Sequence, residues 1–262
     1  MTLTLIVGLV LNAIALPLAA KRVLFLSRLI TSGQPAPDRV ENVTKRTGAA
    51  ISSQLVEVLG QKKLLKWSVP GAAHAAVMYA FLILASVYLE AYGVLLSRDP
   101  QWHFLIFNAW GPLGFLQDLI GVLCVIGLVV FAIIRFKNSP EKLGRRSRFK
   151  GSHLGGAWVV LIMIFNVIWT MFLFRGASSA LGNLGYGKWA FASYAVGKAL
   201  GGPTDSSAIE ALEKVGLLLH IGVMLVFLII VLNSKHLHIF VAPINIMSSA
   251  RTPPSPWAPS SR

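Results

Sequence analysis

The sequence predicts an all-α integral membrane protein: a five-transmembrane-helix bundle with its N-terminus outside and its C-terminus cytoplasmic. Three observations predict it. Of 262 residues, 55% are hydrophobic and only 13% are charged, a balance of bilayer proteins rather than soluble domains. Five apolar segments are each long enough to cross about 30 Å of hydrocarbon. Lys and Arg are distributed unevenly between them, nineteen in one set of connections and five in the other.

The first span covers about residues 1–20. It lacks a basic leading region, and Lys21, Arg22 and Arg28 follow it, so it reads as an anchor rather than a cleaved leader. Residues 21–66 hold nine Lys and Arg, which makes this loop cytoplasmic. Thr31–Asp38 is turn-rich. Within Gly48–Lys66, Ile51, Leu55, Val58, Leu59 and Leu65 fall near helical spacing, with Lys62, Lys63 and Lys66 at the end. This predicts an amphipathic interfacial helix; a docking surface for a soluble partner fits equally. The sequon at Asn42-Val43-Thr44 carries no meaning in a cytoplasmic loop.

The second span is about 69–94. The connection 95–114 holds one basic residue, Arg98, and an interfacial belt of Trp102, His103 and Trp110. The third span, about 115–134, contains the single cysteine, Cys124, read as a small buried apolar residue. One cysteine excludes an internal disulfide and a cysteine-ligated iron–sulfur cluster within the chain. Residues 135–153 hold seven Lys and Arg and return the chain to the cytoplasm. The fourth span is about 156–174. Residues 175–213 follow as an outer loop rich in Gly, Ser and Ala, with Tyr186, Trp189, Phe191 and Tyr194, which predicts a lid. The fifth span is about 215–232. Residues 1–247 form the membrane unit, and 248–262 are a Pro/Ser-rich linker or tail that reads as a join to something further.

The net charge of +14 is therefore topogenic, with some attraction to anionic lipid, and it does not point to nucleic acid. No internal repeat is visible, which argues against a transporter built from inverted halves.

Chemistry concentrates in the last apolar stretch, Lys214–Ile246. A histidine inside an apolar span is a functional hypothesis by default. His220 and His238 are 18 residues apart, about five turns, so on one helix they share a face near opposite membrane surfaces. His236 points away from that face. His74, the only histidine of the second span, lies in the same cytoplasmic half as His238. A haem b bridged by His74 and His238 follows, since neutral imidazoles ligate iron axially. Gly71, Ala72, Ala73, Ala75 and Ala76 would leave room for a flat ring, or would only let helices pack closely. His220 would ligate a second haem, but the matching position on span two is Leu84. His103 reads as interfacial and His153 as a surface residue at the start of span four. Glu90 and Asp118 lie near outer span ends; they are candidates for a quinone or proton site, or simply interfacial acids.

The segment Leu219-His220-Ile221-Gly222-Val223-Met224, followed by His236-Leu237-His238-Ile239-Phe240-Val241-Ala242-Pro243, resembles the gamma (cytochrome b) subunit of respiratory nitrate reductases. The resemblance implies five spans, an outside N-terminus, His220 as outer haem ligand, and His238 with His74 as inner ligands. More closely, the chain resembles the N-terminal membrane module of actinobacterial heterodisulfide-reductase-related iron–sulfur oxidoreductases. The stretches are Ile30-Thr31-Ser32-Gly33-Gln34-Pro35, Lys63-Leu64-Leu65-Lys66-Trp67-Ser68-Val69-Pro70-Gly71, Tyr88-Leu89-Glu90-Ala91-Tyr92-Gly93 and Ser152-His153-Leu154-Gly155-Gly156-Ala157-Trp158. That group carries a following iron–sulfur region, so the expectation here is a separate chain or a shortened product. Leu84 departs from the nitrate reductase pattern, which has a histidine there.

These readings converge on a haem b-binding subunit in the cell membrane. It would carry electrons between quinone or quinol and a cytoplasmic iron–sulfur partner of a respiratory-type oxidoreductase. The alternatives are a haem-free anchor that recruits a cytoplasmic partner and a small transporter.

Overall fold

The computed structural model describes residues 2–34, 47–103, 109–147, 149 and 155–249. Among these residues the chain is helical, without strands, and five helices are long and apolar enough to cross a membrane. It is a multi-pass membrane protein. His153, the sequon at 42–44 and the tail from 250 lie outside the described residues.

Helix α1 spans Thr2–Thr31, so the first span continues through its basic flank. The expected amphipathic helix is shorter than its pattern: α2 covers Thr47–Ser53 and continues as a π-helical stretch over Gln54–Leu59. Gly60 ends it, and Ile51, Leu55 and Leu59 remain exposed as the pattern predicts. The second span is divided at Leu84 into α3 (Ser68–Ile83) and α4 (Ala85–Ser97). Backbone bonds from Leu84 to Ala80 and from Tyr88 to Leu84 carry the helix across the junction. Helix α5 spans Gly111–Lys137, with Pro112 in its first turn, where a missing N–H costs nothing.

Helix α6 runs Gly156–Ala180 and so extends past the expected end at 174. Arg175, counted as a loop residue, is therefore a helix residue. The following segment contains α7 (Phe191–Ala199), and α8 begins early, spanning Ser207–Leu232. The lid is thus residues 181–206. Helix α9, His238–Ser249, is separated from α8 by a turn through Lys235–Leu237. His220 and His238 therefore do not lie on one helix, and the five-turn phase between them has no structural meaning. Asn233, Ser234 and the charge of Lys235 interrupt the apolar run and favour a C-terminal turn over continued helix.

Helices α6 and α8 make the most extensive contact, followed by α3 with α5 and α6 with α7. Arg22 Nε donates to the carbonyl of Leu232 at 3.2 Å, so α1 caps the end of α8. Three apolar clusters fill the interior. Ala91, Leu95, Phe174, Leu217 and Ile221 join α4, α6 and α8. Leu84, Val87, Ile120, Cys124, Ile168 and Met171 join α4, α5 and α6. Val160, Phe227 and Val231 join α6 and α8, with Ile239 of α9 against them. Cys124 is fully buried there, as its apolar setting predicts.

Glycine sets the approach of α5 to α3. A Cβ on Gly127 would stand 3.0 Å from the Ala73 carbonyl oxygen. Gly127→Leu is expected to force the two helices apart and cost about 1–3 kcal/mol, measured as a lowered thermal midpoint in detergent, with Gly127→Ala costing less.

Candidate functional site

Two polar sites occupy opposite ends of the bundle, with one buried imidazole between them. At the first end stand His74 on α3 and His238 at the start of α9. Their ring centroids are 6.4 Å apart and their planes 34° from parallel. Two imidazoles that share one axial iron place their ring centres about 6 Å apart, given metal–nitrogen bonds of about 2 Å. His238 Nδ1 lies 3.1 Å from the Lys235 carbonyl, which fixes the proton on Nδ1 and leaves Nε2 with a free lone pair. His74 Nδ1 is buried without a hydrogen-bond partner among the described residues. Both observations fit a pair of axial ligands. The small residues beside His74 divide between two roles. Gly71 admits the Leu64 carbonyl and Ala73 meets Gly127, so both serve packing, whereas Ala72 is exposed.

His236, on the turn before α9, stands 6.2 Å from His238, with its Nδ1 3.2 Å from Ser234 Oγ. Partial burial, then His238 and Lys235, hold its pKa below the ordinary imidazole value.

His220 is 2% exposed, in the middle of the bundle. Thr170 Oγ1 donates to the Asn166 carbonyl at 2.7 Å, so its oxygen accepts from His220 Nδ1 at 3.3 Å. Nε2 is thereby left as a lone pair, buried and without a partner among the described residues. The neighbouring ring is that of Tyr88, at 6.4 Å. Tyr88 OH donates to Tyr92 OH, which donates to Asn12 Oδ1 at 2.5 Å and ties α4 to α1. Leu84 packs with Ile120 and Ile168 in the core, so its position is occupied by side chains of α5 and α6. His103 packs on the ring of Tyr186 at 5.7 Å. Among the described residues the ring beside His220 is thus that of Tyr88 and not a second imidazole.

The opposite end holds the most polar part of the interior. Arg175 of α6 is 1% exposed and lies between two carboxylates. Its Nη1 is 3.4 Å from Glu90 Oε2 on α4, and its Nη2 is 3.5 Å from Asp118 Oδ1 on α5. Asp118 also accepts from the backbone N–H of Ser193 at 2.7 Å and from Ser193 Oγ at 2.8 Å. Ser193 belongs to α7, so this carboxylate sits at a helix N-terminus and clamps the lid to the bundle. Glu90 accepts from Tyr186 OH and from Gln117 Nε2, the latter at 3.3 Å. Burial, then the Glu90 charge, raise the Tyr186 phenol above its usual pKa, so it stays a donor.

The candidate acids are thus neither interfacial nor free. Arg175, Tyr186, Gln117 and Ser193 escape sequence reasoning, because each sits in a stretch that reads as loop or apolar helix. One signal does point to Arg175: buried carboxylates on two spans need a cation, and this one follows directly on the apolar run of span four.

No family model matches the chain. No solved structure matches it either. A curated protein named EtfAB:quinone oxidoreductase, from Syntrophomonas wolfei subsp. wolfei, is 24% identical over 212 residues. The match covers 74% of this chain and 27% of that protein, so the chain spans 27% of the length of its curated relative.

Proposed function

We propose that this chain is the membrane subunit of a quinone-linked oxidoreductase, exchanging electrons between quinone in the bilayer and an iron–sulfur partner at the His74 end. That end carries the basic loops and faces the cytoplasm. The observation that carries the reading is the imidazole pair, His74 and His238, drawn from two separate elements to 6.4 Å. The quinone oxidoreductase named among its relatives supports the substrate class.

Haem b held by this pair would supply a one-electron carrier. The Lys235 carbonyl orients His238 and holds its proton away from Nε2. Helix α3 holds His74 in a half-buried position, and the apolar helices exclude water from its far side. The His74–His238 pair, drawn from two elements, supports one haem, and among the described residues the ring beside His220 is a phenol rather than a second imidazole.

The use of Gly71 and Ala73 in helix packing favours a second reading, a haem-free anchor. A reduced-minus-oxidised spectrum of the purified chain, with haem measured per polypeptide, separates the two. One haem per chain, reducible by a quinol, is expected. Folded protein without a Soret band establishes the anchor instead.

A further inference from the structure

We propose that the buried cluster at the Glu90 end binds one exchangeable proton, carried on the Glu90 carboxyl and relayed to the surface through Tyr186. The site stands on the geometry alone; its use in quinol oxidation rests on the function proposed above.

The starting point is a charge imbalance. Two carboxylates, Glu90 and Asp118, share one guanidinium, and all three side chains are at most 8% exposed. In an apolar bundle a surplus buried charge is strongly disfavoured, and a single proton removes it. The partners decide which carboxyl takes that proton. Both Asp118 oxygens are held by donors, from the Ser193 N–H and hydroxyl at 2.7 and 2.8 Å, at the positive end of a nine-residue helix. Asp118 is the anion that pairs with Arg175. Glu90 has longer contacts to Arg175 and Gln117, at 3.4 and 3.3 Å, and its short one comes from the Tyr186 hydroxyl, a donor that can hand its proton over.

A second observation points to the same carboxyl. Gln117 is fully buried, and its Oε1 has no partner among the described residues. Its Nε2 donates to Ser86 Oγ at 2.9 Å, a shorter contact than the 3.3 Å to Glu90, so Glu90 holds the weaker of the two amide bonds. Tyr186 completes the route. Its hydroxyl donates to Glu90, its ring lies 5.3 Å from the Arg175 guanidinium, and His103 stands beside it at the edge of the lid. A phenol that donates to Glu90 can pass a proton by accepting another from its outer side. The groups facing Glu90 are thus Gln117 and Asp118 from α5, Arg175 from α6 and Tyr186 from the lid, with His103 behind Tyr186.

Infrared difference spectroscopy of the protein in lipid, in H2O and D2O, tests this. A protonated-carboxyl C=O stretch is expected in the wild type, shifted in D2O. It should be lost in Glu90→Gln and retained in Glu213→Gln, which removes the other buried glutamate. Absence of the band, or its survival in Glu90→Gln, overturns the proposal. Should Glu90→Gln not fold, Tyr186→Phe leaves every charge in place and is expected to shift the band and slow its deuterium exchange; an unchanged band overturns the proposal. Under the quinone reading, quinol-driven reduction in Glu90→Gln falls at least about a hundredfold, the low side of general-base effects. A normal rate in folded Glu90→Gln overturns the use of this proton in quinol oxidation. A Glu90 band in a wild type that quinol never reduces leaves the proton site standing and sinks the quinone reading.

Discussion

Arg175→Ala is expected to lower the stability of the bundle by about 3–5 kcal/mol, the range for removing one partner from a buried ion pair. The effect is large because two carboxyl groups lose their cationic partner at once, and neither has solvent to turn to: Glu90 is 6% and Asp118 0% exposed. The lid should loosen as well, since Arg175 Nε donates to Ser193 Oγ at 3.2 Å and Asp118 holds the same serine. Arg175→Lys keeps the charge but not the fork, and one ammonium cannot span contacts of 3.4 and 3.5 Å on opposite sides. It should fall between wild type and Ala. Removing the three ionisable groups together, as Arg175→Met with Glu90→Gln and Asp118→Asn, should cost less than Arg175→Ala alone. Thermal midpoints in detergent and proteolysis within residues 181–206 report the two effects separately. A loss under about 1 kcal/mol for Arg175→Ala would show that the pair is solvated.

His74→Ala is expected to abolish haem in the purified chain, and His238→Ala to do the same, while His220→Ala retains it. The contrast follows from position. His74 and His238 approach each other from separate helices, whereas His220 is tied to Thr170 and faces Tyr88. Leu84→His should not create a second haem, because that side chain enters the cluster around Ile120 and Ile168. It should only destabilise, by placing a polar ring in an apolar core. Haem-to-protein ratios of the four variants check the set; a ratio unchanged in His74→Ala removes the ligand assignment.

Five spans are legible in the sequence because apolar length is a direct consequence of bilayer thickness. Their limits are less so. Span four reads as ending at 174 because Arg175 is charged, yet the helix continues to Ala180 through Gly176, Ala177 and Ser178. A hydropathy pattern registers a charge as an exit from the membrane; it does not register the two acids that receive it. The opposite error occurs at the fifth span. Spacing alone carries one helix from His220 to His238, but the turn at Lys235–Leu237 resets the phase. The meeting of His74 with His238 survives that error, because it depends on the end of the bundle each occupies and not on the face of a helix. Tyr186 and Ser193 reach their partners only through the path of the lid, which no local pattern encodes.

The position of Arg175 bears on how the chain is assembled. A lone arginine in a span makes insertion costly, by about 2.5–3.5 kcal/mol at a helix centre. Helices α4 and α5, which carry Glu90 and Asp118, precede α6 in the chain and emerge first from the ribosome. When α6 arrives, its cation meets partners already in place, and the ion pair forms. Moving the arginine to α4 and an acid to α6 would keep the same pair in the finished bundle but reverse the order in which cation and acid enter the membrane.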